Sequence, residues 1–154
     1  MDRLTLLNLN SNKIRLLEPY ISMCARLRTL SLDRNMVPSI PKEFCDLTQL
    51  TDFSITNNHL CMLPPDMDKL SNLTSLRLQN NALEGFPPTF TKLCNLTYLS
   101  LRHNRLKGIP FNLGGTDKSL GPFLQIFEGG LQALEYLDVS HNDIEIIPKS
   151  ILGL

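Results

Sequence analysis

The sequence carries no surplus of charge of either sign. Fifteen basic and fifteen acidic side chains cancel over 154 residues, which removes the electrostatic drive that holds bulk nucleic acid or an anionic membrane surface. Aromatic residues make up only 6% of the chain, a second reason to set nucleic acid aside. No window approaches the roughly 18 apolar residues of a membrane span. The opening MDRLTLLNLNSNKIR has no basic leader followed by an apolar run, so neither export nor membrane insertion is expected.

Cysteine pairing is also missing as a pattern. Cys24, Cys45, Cys61 and Cys94 form no C-x-x-C and cluster at neither end, so they read as free thiols, and the expected setting is the cytoplasm. Two glycosylation-type triplets, Asn72-Leu73-Thr74 and Asn95-Leu96-Thr97, point outward on paper. They lie 23 residues apart, and the periodicity described next generates both without a secretory history.

Chemistry-bearing constellations are absent as well. No serine, histidine and acid share a nucleophile context, and no paired carboxylates are fixed in a pocket. The stretch Gly115-Thr116-Asp117-Lys118-Ser119 ends in a Lys-Ser pair but lacks the G-x-x-x-x-G-K spacing and a preceding strand, so it is not a phosphate loop. No catalysis and no cofactor are expected.

What the chain does have is a period. Leu73–Asn95, LTSLRLQNNALEGFPPTFTKLCN, can be laid over its neighbours on both sides, and the template restarts at Leu4, Leu27, Leu50, Leu73, Leu96 and Leu134. The spacings are 23, 23, 23, 23 and 38, so only the fifth unit carries 15 extra residues. A fixed period of this size is the mark of a solenoid.

Positions 1, 4 and 6 of each unit are apolar, as in Leu27, Leu30 and Leu32 or Leu73, Leu76 and Leu78. Positions 4 and 6 point one way and position 5 the other, which predicts a short strand. A lone strand of this kind cannot bury its apolar side. Stacking one strand per unit in parallel gives a continuous core and, for six strands, a concave sheet about 24 Å across.

Position 9 is asparagine in every unit: Asn12, Asn35, Asn58, Asn81, Asn104 and Asn142. Where the chain leaves the strand, backbone groups lose their ladder partners, and a buried amide can both donate and accept to satisfy them. Apolar residues return at positions 11 and 14, followed by proline at 41, 64, 87, 110 and 148. Proline ends extended pairing and suits the first turn of a short helical segment, from which positions 18 and 21, such as Phe44 and Leu47, face inward.

These residues together resemble the leucine-rich repeat family over nearly the whole chain. The 23-residue form with L-P or I-P after the asparagine is similar to the intracellular repeats of Ras-associated scaffold and suppressor proteins. The resemblance implies an α/β solenoid, a horseshoe arc with a parallel concave sheet and short helical or 3-10 convex segments. It also implies protein binding through the concave face, with a small GTPase or its regulator as the partner class, and no catalysis. One domain, residues 1–154, is expected, built of six repeats. A second reading makes the chain the recognition arm of a larger enzyme or receptor, such as a phosphatase, kinase, cyclase or ubiquitin ligase. A third, an extracellular receptor segment, rests on Asn72 and Asn95 alone.

Departures from the template carry further expectations. The first repeat has Glu18 and then Pro19 in place of a proline at position 15, so its convex segment is expected one residue out of step. Nothing before Leu4 covers Leu4, Leu7 and Leu9, and at the other end Leu154 occupies position 21 of a repeat that stops there, which suggests a piece of a longer array or neighbours that supply the caps. The insertion, about 114–128, is read as a flap on the solenoid's side or as an aromatic partner anchor, with Phe123, Leu124, Ile126 and Phe127 on one face of a short helix.

Function has only the outward positions 2, 3, 5, 7, 8 and 10 to be written in. Repeats four and five place Arg77, Arg102 and Arg105 there with Tyr98 and no acid; repeat six places Tyr136, Asp138, Glu135 and Asp143 with no base. Arg77, Tyr98, Arg102, Arg105, Tyr136 and Asp138 are therefore the candidate partner-binding residues, since Tyr and Arg are enriched at energetic hot spots. The bland alternative is a solvated face in which Arg105 and Asp143, both at position 10, form an ordinary ion pair. His103 and His141 share position 8 on adjacent strands about 5 Å apart, a poor zinc site without a carboxylate or cysteine in register.

Overall fold

In the computed structural model, residues 3–109 and 131–147 are described. The insertion at 114–128, with its proposed apolar helix face, lies outside them, as do Pro110, Pro148 and Leu154.

Six three-residue strands form one parallel sheet: β1 (Leu6–Asn8), β2 (Thr29–Ser31), β3 (Asp52–Ser54), β4 (Ser75–Arg77), β5 (Tyr98–Ser100) and β6 (Tyr136–Asp138). Their order in space is their order in the chain. Each pair is in register at equal repeat positions, so Leu30 faces Phe53, Leu76 faces Leu99 and Tyr98 faces Tyr136. The extra residues before β6 leave its register unchanged. Identical register is what lets position 4 of every strand stack on position 4 of the next.

The core lies behind the sheet. Leu27, Leu30 and Leu32, then Leu50, Phe53 and Ile55, then Leu73, Leu76 and Leu78 are fully buried, each side chain contributing about 1.5–3 kcal/mol. Phe44 and Phe90, at position 18, close the core from the convex side, and the Phe44 ring meets Phe53 at 4.6 Å between centroids. Where β1 and β6 have a single strand neighbour, Leu7, Leu9, Leu137 and Val139 are only partly buried.

The return path is built of 3-10 turns: Pro19–Met23, Lys42–Asp46, Met67–Lys69 and Pro88–Lys92. No α-helix occurs among the described residues. The first repeat is not out of step. Its turn begins at position 16, as those at Lys42 and Pro88 do, because Glu18 takes φ −68°, ψ 147°, close to the −67°, 151° of Pro41 and Pro87. Proline pre-sets that extended conformation, and glutamate adopts it under the same packing.

Leaving each strand, the chain makes one left-handed step at position 8. Ser11, Arg34, Asn57, Asn80, His103 and His141 all have φ between 54° and 57°, a region that costs an ordinary L-residue about 1–2 kcal/mol. The following asparagine secures the turn. Asn58 Nδ2 donates to Leu32, Ile55 and Thr56 carbonyls and its Oδ1 accepts from Val37 N–H. Asn35, Asn81, Asn104 and Asn142 likewise tie their own turn to the preceding repeat. Asn12 is exposed and donates only within its own turn, to Leu9 and Asn10 carbonyls.

Candidate partner-binding surface on the concave face

The concave face is written in three inner columns, positions 3, 5 and 7 of each strand and its exit. In repeats one to three these hold no base and two acids, and most of their polar groups are already engaged. Asn8 Oδ1 accepts from Asn10 N–H at 3.0 Å, and Asn10 Oδ1 accepts from Asp33 N–H at 2.7 Å. Asp33 Oδ1 accepts from the Ser54 hydroxyl at 2.6 Å and from Thr56 N–H at 2.7 Å. Asp52 accepts from the Thr51 hydroxyl, and Thr56 Oγ1 from the Asn57 amide.

Repeats four to six differ. Tyr98 and Tyr136, in register across β5 and β6, stack with centroids 4.4 Å apart and planes 1° from parallel. The Arg77 guanidinium lies over the Tyr98 ring, 5.1 Å from its centroid. The result is a three-tier pile of cation, ring and ring, whose last member, Tyr136, is 45% exposed. Loss of hydration, then the neighbouring Tyr98 and Asp138, push the Tyr136 phenol above its ordinary value. On β4 the Ser75 hydroxyl, in register with Tyr98, and farther along the Gln79 side-chain Oε1 are buried with no hydrogen-bond partner among the described residues.

Arg102 is exposed, and its Nη2 lies 3.4 Å from His141 Nε2. Because guanidinium only donates, that ring nitrogen accepts. His141 in turn stacks on His103 at 4.1 Å, and lost hydration, His141 and Arg102 together hold the His103 imidazole below its ordinary value. Burial pushes the Asp138 carboxyl up, but the Ser140 hydroxyl and N–H, with Arg102 and His141, outweigh it and leave the group below its ordinary value. No cluster of three metal-binding side chains occurs among the described residues.

The six candidate residues thus fall into two groups. Arg77, Tyr98, Arg102, Tyr136 and Asp138 line adjacent strands or their exits. Arg105 is exposed at the rim, and it makes no ion pair with Asp143: the described ion pairs, Lys69–Asp46, Lys69–Asp66 and Lys92–Asp68, all lie on the convex side. The outward positions are also not all free of packing. Ser54, Ser75 and Ser100 are buried, 1–7% exposed, because longer neighbours on a concave surface shade short side chains. Ser75 and Gln79 were not among the sequence candidates; the only trace of Ser75 in the sequence is a small residue beside two tyrosines in the position-3 column.

An open groove of about 520 Å³ lies along one flank, lined by Arg28, Thr51, Thr74 and Thr97 among others. Its threonine and asparagine groups are spent on the backbone. Thr51, Thr74 and Thr97 hydroxyls donate to carbonyls of Arg28, Thr51 and Thr74, and the amides of Asn72 and Asn95 donate to Thr48 and Ser71 carbonyls. Cys24 and Cys45 are buried and Cys61 and Cys94 exposed, all as thiols; burial pushes the Cys45 thiol up to about 12.

The leucine-rich repeat pattern matches residues 2–60, 49–106 and 133–154. No curated protein matches the chain. Among solved structures, a leucine-rich repeat protein of Leptospira interrogans, LIC12759, is 29% identical with a TM-score of 0.73, covering 97% of this chain and 40% of that one. The leucine-rich repeat domain of APL1B is 25% identical with a TM-score of 0.72, over 89% of this chain and 38% of that one. The leucine-rich repeat ectodomain of the receptor kinase SOBIR1 from Arabidopsis thaliana is 25% identical with a TM-score of 0.68, over 90% of this chain and 69% of that one. The chain therefore spans about two fifths of the first two structures it matches. Repeats of this kind generally mediate protein–protein interaction. No helix among the described residues is long and apolar enough to cross a membrane. With its asparagine-tied turns and six in-register parallel strands, the chain belongs to the leucine-rich repeat family.

Proposed function

We propose that the chain is a protein-interaction module that holds a signalling protein on its concave face through Arg77, Tyr98, Arg102, Arg105, Tyr136 and Asp138, with no catalysis of its own. One observation carries this reading: the arginines and aromatic rings of the inner columns all lie in repeats four to six. A stacked aromatic pair with an exposed ring and two guanidinium groups stand on adjacent strands there. Tyr and Arg anchors of this kind dominate interface energetics. The partner class is a small GTPase or its regulator and the setting cytoplasmic, supported by the likeness of the 23-residue repeat to the Ras-associated group and by the four thiols.

A second reading, the recognition arm of a larger enzyme or receptor, is favoured by the chain's spanning 40% of one matched structure and by its likeness to the ectodomain of a receptor kinase. Both readings place binding on the same surface. The test is quantitative capture from lysate with wild type, a Tyr98→Ala, Arg102→Glu double variant and an Arg34→Glu control, each shown to be folded. Loss of one specific partner in the double variant and not in the control supports the concave site; equal loss in both, or in neither, removes it. The identity of the captured protein then separates a GTPase-linked partner from any other.

A further inference from the structure

The acids and bases of the inner columns are not in the same state. Each inner-column carboxylate already accepts hydrogen bonds from its own chain: Asp33 from Ser54 and Thr56, Asp52 from Thr51, and Asp138 from Ser140 N–H at 3.0 Å. The two inner-column guanidinium groups form no ion pair with a carboxylate among the described residues. Arg77 rests on an aromatic face and Arg102 touches an imidazole, which leaves most of the five donors of each fork unused. On the convex side, by contrast, both ion-paired lysines reach acids at 3.0–3.7 Å.

Charge follows the same division. The outward positions of repeats four and five carry Arg77, Arg102 and Arg105 and no acid, whereas positions 3, 5 and 7 of repeats one to three carry Asp33 and Asp52 and no base. The unmet need of the second half is for acceptors.

Spacing decides what kind of acceptor. Arg77 stands at position 5 of one strand and Arg102 at position 7 of the next, so strand separation and rise put their Cα atoms about 8 Å apart. That spacing matches two carboxylates carried along an extended chain, where alternate side chains recur about every 7 Å. We propose that the surface of repeats four and five takes an acidic, extended segment of a partner protein, one carboxylate on Arg77 and a second on Arg102. This rests on the concave reading above and gives it a ligand chemistry. Arg binds carboxylate through two parallel N–H donors, which lysine cannot reproduce.

The experiment measures anisotropy of a labelled decaglutamate peptide titrated with the protein at low salt, with decalysine and inorganic phosphate as the other arms. Decaglutamate is expected to bind saturably, to lose at least tenfold in affinity with Arg77→Gln, Arg102→Gln, and less than twofold with Arg28→Gln, Arg34→Gln on the rim of the other half. Arg77→Lys, Arg102→Lys is expected to recover only part of the loss. Tighter binding of decalysine, competition by phosphate at concentrations matched to peptide carboxylate, or equal loss in the two glutamine pairs overturns the proposal. Failure here with Tyr98-dependent partner capture intact rejects the acidic segment and leaves the concave site standing.

Discussion

The two halves of the concave face share one backbone and differ in what their side chains leave undone. In repeats one to three, Asn8, Asn10, Asp33, Ser54 and Thr56 hand hydrogen bonds from strand to strand. In repeats four to six the same columns hold, among the described residues, Ser75 and Gln79 with unpartnered side-chain atoms, two arginines that form no ion pair, and a stacked tyrosine pair. A buried polar group without a partner costs about 1–3 kcal/mol. The first half thus spends its polar groups within the chain, and the second is where we propose that a partner binds.

Four measurements break or sharpen that contrast. The largest effect belongs to the scaffold that both halves share: Asn58→Leu orphans the buried Val37 N–H and takes one of two donors from each of the Leu32, Ile55 and Thr56 carbonyls, and is expected to cost about 2–3 kcal/mol in urea unfolding. Asn12→Leu, exposed, should cost about 1 kcal/mol or less by the same reasoning. Next, Tyr98→Ala should weaken partner binding by about 2 kcal/mol, as hot-spot aromatics do, while lowering stability by only about 1 kcal/mol through loss of the stack.

A matched serine pair tests the halves directly. Ser54→Ala removes a hydroxyl donated to Asp33 and should cost about 1–2 kcal/mol. Ser75→Ala removes one without a partner and should change stability by no more than about 0.5 kcal/mol, with a gain as readily as a loss. Equal costs would erase the distinction.

The smallest effect is on pH. Because the folded-state His103 imidazole lies below its ordinary 6.5, led by lost hydration and then by His141 and Arg102, the unfolded chain binds its proton first. Its contribution to stability is therefore complete above 6.5 and is lost as pH falls through the lower folded value. His103→Asn, which keeps a residue tolerant of the left-handed step, should flatten that part of the urea-midpoint profile. The Asp138 contribution, from a carboxyl held below 3.8, disappears only at more acidic pH.

Much of this was legible in the sequence. The parallel sheet follows from Leu, Leu, Leu at positions 1, 4 and 6, and the turns follow from an asparagine that recurs in all six units. The stack of Tyr98 on Tyr136 follows from equal repeat positions on adjacent strands. What failed depended on packing rather than on residue type. A missing proline suggested a shifted convex segment, yet Glu18 reproduces the proline's backbone angles. Arg105 and Asp143 share a position without forming an ion pair, since equal register does not bring flexible rim side chains together. Burial of Ser54, Ser75 and Ser100 reflects shading by longer neighbours, and the left-handed step at position 8 is taken by Ser, Arg, Asn and His alike.

The most direct test of the division is a photo-cross-linker placed in turn at Thr29 and at Tyr136, which stand at the same repeat position on opposite halves of the face. With the captured partner present, the account predicts a cross-link from position 136 and none from position 29. A cross-link from position 29 as strong as or stronger than that from 136 would contradict it.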